Sequence, residues 1–141
     1  MFSKEEASAL RREFWTGFGL YLSPVLSSEG LKINWLNYKT GVKNIYFRPD
    51  ADREAATIAI EITHEDAGIR ELFFEQFLEL NTILHQYIGE EWIWKPNYID
   101  GTDKEISRIY SQITEVSIYK RNTWLDIISF LKPRIIALDE F

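Results

Sequence analysis

Residues 55–63 read AATIAIEIT, and this stretch constrains the fold more than any other. Ile58, Ile60 and Ile62 alternate with Thr57, Ala59 and Glu61. A period of two sends the isoleucines to one face of a strand and the other three to the opposite face. A strand with one apolar face needs neighbours in a sheet and a layer to cover that face, so the rest of the chain has to supply both.

The flanking segments fit that demand. Residues 31–40 also alternate, with Leu31, Ile33 and Trp35 on one side and Lys32, Asn34, Leu36 and Tyr38 on the other. Lys39, Thr40 and Gly41 read as a tight turn, and residues 42–48 as a returning strand. With a polar turn at 49–53, these segments and 55–63 predict a three-stranded antiparallel meander. Residues 90–95 and 116–119 read as further strands, separated by a turn at 97–103. Residues 105–113 suit a strand, although Ile106, Ile109 and Ile113 also fit a helix.

Helical periodicity marks three other regions. In residues 3–22, Ser3 and Glu6 form a capping box, and Leu10, Phe14, Phe18, Tyr21 and Leu22 follow at helical spacing. Gly17 and Gly19 interrupt this helix, which suggests another element packed closely over them. Asp66 caps a long helix at 67–88, with Ile69, Phe73, Phe77, Leu80, Leu84 and Ile88 on its apolar stripe and Gly89 as its stop. Asn122 caps a last helix running through Trp124, Leu125, Ile128, Leu131, Ile135 and Leu138, in which Pro133 should produce a kink or a split. The order α-βββ-α-ββ(β)-α predicts a single α+β domain over residues 1–141, an antiparallel sheet with helices packed against it.

Composition excludes several kinds of chemistry. The 141 residues contain no Cys and only two His, His64 and His85, so neither thiolate chemistry nor the usual zinc site can be built. Asp50, Asp52 and Glu54 alternate in a turn but lack the glycine and closing glutamate of a calcium loop. No phosphate-binding glycine loop and no nucleophile elbow occurs. We expect no catalytic residue, metal or cofactor. No apolar run reaches the roughly 18 residues of a membrane span, and the first residues lack a signal-peptide core, so a cytoplasmic protein is expected.

A nuclease reading fails on spacing. The element order matches restriction-endonuclease-like folds, and Pro49-Asp50 followed by Glu61-Ile62-Thr63 approximates their acidic motif. Thr63 stands where a lysine is required. Glu61 also lies on the order of 20 Å up the strand from the turn that holds Asp50. Such a fold would be catalytically degenerate here.

Taken together, REFW (12–15), WLNYKTG (35–41), IYFR (45–48), AIEI (59–62), WIW (92–94) and FLKPRIIALDEF (130–141) resemble the bacterial domain-of-unknown-function family 4268. The resemblance covers nearly the whole chain. It implies a module found alone in short chains or behind nuclease-like domains in longer ones, and hence an association with nucleic-acid or defence systems. It transfers no catalytic residue.

The remaining candidates are surfaces. Net charge is −6, but it is unevenly spread. Residues 1–48 hold seven basic and four acidic side chains, and residues 49–103 hold three and thirteen. Lys32, Tyr38, Lys39, Lys43, Tyr46 and Arg48 combine cations with rings on the first hairpin, as sheet-based single-strand binders do, although Glu61 is placed to neutralise Arg48. Trp35, Trp92 and Trp94 head an aromatic excess that belongs either to the core or to a partner groove. The expected function is a non-enzymatic interaction module with a protein partner or a second copy of itself. Nucleic-acid binding through the first hairpin is the alternative.

Overall fold

The computed structural model describes residues 3–27, 30, 32–35, 38, 40, 42–100 and 102–140. Helix α1 (Lys4–Leu22) is followed by strands β1 (Ile45–Ala51) and β2 (Ala55–Ile62), and then by helices α2 (Ala67–Glu79) and α3 (Asn81–Ile88). Strands β3 (Ile93–Ile99) and β4 (Glu105–Thr114) come next, and a 3₁₀ turn at Arg121–Thr123 leads into α4 (Trp124–Glu140). The four strands form one antiparallel sheet in the order β1-β2-β4-β3. The α+β class and the antiparallel sheet are those read from the sequence.

β2 occupies the middle because both its faces suit burial. Ile58, Ile60 and Ile62 are fully buried on one face, and Ala59 and Glu61 are buried on the other. The isoleucine face joins Ile109 of β4 to Phe14 and Phe18 of α1, Phe74 of α2, Leu84 of α3 and Ile127, Leu131 and Ile135 of α4 in one cluster. Ala55, Ala59 and Ile106 are buried outside that cluster. The helices therefore form a layer on one face of the sheet, leaving the other without a helical cover among the described residues.

The caps follow the sequence. Ser3 Oγ accepts the Glu6 N–H at 3.1 Å. Asp66 Oδ1 accepts from Gly68 and Ile69 at 2.8 and 3.2 Å. Gly89 ends α3 at φ 70°, a left-handed conformation that suits glycine because it lacks Cβ.

Several expectations need correction. Of residues 31–40, those described (32–35, 38 and 40) contain no strand. Their alternation reflects one-sided burial without a ladder. Trp35 is buried and its indole N–H donates to the Val25 carbonyl at 3.1 Å, while Tyr38 stacks on Phe47 at 5.2 Å. Among the described residues the meander is thus a two-stranded hairpin, β1 with β2. The turn expected at 49–53 is shorter, because β1 runs to Ala51 and Asp52 Oδ1 closes the corner by accepting from Glu54 and Ala55 at 2.8 and 2.9 Å. Pro49 is tolerated because β1 is an edge strand.

The long helix breaks at Leu80, whose N–H bonds the carbonyls of both Gln76 and Phe77 at 3.1 Å. The apolar period continues through this break, so the sequence gives no sign of it. β3 is displaced to Ile93–Ile99, and the following turn is tightened by Asp100 Oδ1, which accepts from Thr102 and Lys104 N–H at 2.8 and 3.0 Å. Residues 116–119 form a turn instead of a strand. Their anchors are Ile118 N–H donating to Asp52 O and Thr123 Oγ1 accepting from Ser117 N–H, both at 3.0 Å. Asn122 lies within the 3₁₀ turn, and α4 begins at Trp124. α4 passes Pro133 as one helix, with the ring toward solvent. Among the described residues no atom outside α1 lies within 4 Å of a Cβ added at Gly17, so none of them packs closely over it.

Candidate interaction surface

The uncovered sheet face follows from alternation and register. Tyr46 of β1 lies opposite Glu61 of β2, which in turn lies opposite Arg108 of β4, itself opposite Lys95 of β3. One step along, Arg48, Ala59, Tyr110 and Ile93 form a second row across the four strands. Two adjacent rows therefore place cations, rings and a carboxylate on a single face.

Glu61 is the hinge of this arrangement. Although only 8% exposed, it carries a charge that has to be compensated. Arg48 Nη1 lies 3.0 Å from Oε1, and Arg108 Nε lies 3.4 Å from Oε2. The second contact is an ion pair without hydrogen-bond alignment. Each guanidinium also covers aromatic rings: Arg48 lies 4.3 Å from the Tyr46 ring centre, and Arg108 lies 4.7 Å from those of both Tyr98 and Tyr110. Cation–π contacts contribute about 0.5–2 kcal/mol each, more as water is excluded. Arg108 is held nearly buried by two rings and a carboxylate, whereas the Arg48 side chain is 53% exposed.

The sequence-derived candidates separate in space. Tyr46 and Arg48 lie together on this face. Lys32 and Lys43 are exposed outside the strands. Trp35 and Trp92 belong to the core at 2% and 6% exposure, and Trp94 is half-buried on the helix-covered face, edge-on to Phe74 at 5.7 Å. Tyr38 is half-buried, with its hydroxyl on Asp139 Oδ1 at 2.5 Å. Lys39 lies outside the described residues. Arg108, Tyr98 and Tyr110 join this face through the β4 and β3 register, which local sequence does not reveal. The alternation of Arg108 and Tyr110 was present in the sequence but only becomes legible once 105–113 is assigned as a strand.

Geometry does not favour metal chemistry on this face. Asp50 is paired opposite Thr57, four residues along β2 from Glu61, a separation of about 13 Å. Two guanidiniums already compensate Glu61. Among the described residues no group of three His, Asp or Glu side chains could hold a metal ion, and no helix is long and apolar enough to cross a membrane.

The fold and its Tyr/Arg face define a small α+β domain with one helical layer and, among the described residues, one sheet face without helical cover. The chain belongs to the domain of unknown function family DUF4268, whose model matches residues 10–141. No curated protein and no solved structure matches it.

Proposed function

We propose that this protein is a non-enzymatic interaction module of the bacterial cytoplasm that docks a protein surface on its open sheet face, a second copy of the chain being the first partner to test. The observation that carries this reading is the sharing of one buried carboxylate by Arg48 and Arg108. That sharing cancels part of the cationic charge that a phosphate backbone would need, and it fixes both side chains and three tyrosine rings before any partner arrives. Tyr and Arg are the usual anchors of protein interfaces, and side chains ordered in advance lose less entropy on docking.

Nucleic acid is the second reading. It rests on the rings of Tyr46, Tyr98 and Tyr110 beside Lys95 on the same sheet face, with Tyr46 supplied by the first hairpin. A photo-crosslinking amino acid at Tyr46, with a control at exposed Leu72 on α2, separates the two readings in the native host. The protein reading expects a discrete adduct from position 46 alone, sensitive to protease and resistant to nuclease. A nuclease-sensitive adduct would replace it with the second reading.

A further inference from the structure

Trp92 and Trp94 take no part in the open face, yet they line a cavity of their own. It lies between α3 and the entry to β3 and holds about 260 Å³. Leu84 and His85 border it from the helix, and Glu90, Glu91, Trp92 and Trp94 from the strand side. This volume is below the roughly 300–1,000 Å³ of pockets for drug-sized ligands, so it suits a headgroup or one side chain.

The charge of the lining is the informative feature. Among the described residues no Lys or Arg borders the cavity. Glu90 is already compensated: Arg134 Nε and Nη2 donate to its two oxygens at 2.7 and 3.0 Å, and the Trp92 indole N–H donates to Oε1 at 3.0 Å. That bond also fixes the Trp92 ring, while Phe74 fixes Trp94 from its edge. Glu91 is exposed and forms no ion pair among the described residues. What remains is two held indoles, Trp92 nearly buried and Trp94 half-buried, and one free negative charge at Glu91.

We propose that this cavity binds an alkylammonium group, the charged end of a quaternary amine or of a methylated lysine. Indole is the aromatic side chain with the strongest attraction for a cation, and two of them beside a carboxylate favour a weakly hydrated ammonium over a neutral alkyl group of the same shape. A phosphate or carboxylate ligand would meet Glu91 with no Lys or Arg beside it among the described residues, leaving His85 as the one group there able to take up a proton.

The test uses the full chain and follows the indole N–H resonances by NMR during titration with choline, with trimethyllysine amide, and with 3,3-dimethylbutan-1-ol as the neutral isostere of choline. The expected result is a saturable shift of the Trp92 and Trp94 signals with at least one cation. The neutral isostere should bind at least tenfold more weakly. Glu91→Lys should abolish binding with little change in thermal midpoint, because Glu91 is exposed. Tighter binding of trimethyllysine amide than of choline would mark a protein side chain as the source, and the reverse order a free amine. Equal affinity for cation and isostere, no saturable shift with either amine, or full affinity in Glu91→Lys would overturn the proposal. Tyr46→Ala should leave amine binding unchanged, so failure here is distinguishable from failure of the open face as an interface.

Discussion

Arg134 and Glu90, 44 residues apart in sequence, meet through two parallel hydrogen bonds of 2.7 and 3.0 Å. The pair fastens α4 to the segment entering β3. The Arg134 hydrogen bond holds the Glu90 carboxyl below its ordinary value of 4.5, and the Trp92 N–H adds to this against the opposing effect of burial. A carboxyl group lowered in the folded state contributes stability that is complete above its unfolded value and is lost as pH falls through the folded one. Glu90→Gln should therefore cost most near neutral pH, and the gap to wild type should close below about 4.5. Thermal midpoints from pH 3 to 7 measure this. A gap that stays constant across the range would contradict it.

Glu61→Gln keeps the shape of the side chain and removes the charge shared by Arg48 and Arg108. Arg108 would remain nearly buried without a counter-charge, at an expected cost of about 2–3 kcal/mol. Arg48→Ala should cost less than about 1 kcal/mol, because that side chain is half exposed and its pairing is screened. Urea midpoints of the two variants check the order, and equal losses would rule out Glu61 as the organising group.

Two glycines should respond in opposite directions. Gly17 lies in α1 with open space around it, so Gly17→Ala is expected to stabilise by about 0.5–1 kcal/mol. Gly89 also has open space, but its φ of 70° disfavours any Cβ, so Gly89→Ala should destabilise by about 1 kcal/mol. Denaturation midpoints decide both, and a loss of stability in Gly17→Ala would indicate a packed neighbour.

Single-stranded DNA or RNA should bind no more tightly than any acidic protein binds it. Fluorescence anisotropy at about 50 and about 200 mM salt is the measurement. Micromolar affinity that falls steeply with salt and is lost in Tyr46→Ala would move nucleic acid ahead of a protein partner.

The local features of the fold could be read directly, because they depend on neighbours in sequence. The Ser3 and Asp66 caps, the Gly89 stop and the alternation of β2 are of this kind. Residues 32–35 show the limit: their inward and outward pattern is real, but the sequence does not say whether a ladder or large rings hold them. The open face was half legible. Tyr46 and Arg48 share a strand, and the neutralisation of Arg48 by Glu61 was anticipated from cross-strand pairing. Arg108 was not, because its place opposite Glu61 depends on a register between distant segments. The break at Leu80 leaves no trace in the sequence, because the apolar period runs through it to Leu84, which is fully buried.

The strand order also sets the way the chain has to be assembled. β1 with β2 and β3 with β4 are neighbours in sequence and close as two hairpins, but the ladder between β2 and β4 forms only when residues 63–104 are drawn in as one long loop. Closure of such a loop has to precede the contacts that reward it, so this step is expected to set the folding rate. Ile60 and Ile109 face each other at the middle of that ladder, both fully buried. Ile109→Val should then slow refolding in stopped-flow experiments by most of what it costs in stability. A Val substitution at Ile128 on α4 should instead appear mainly as faster unfolding.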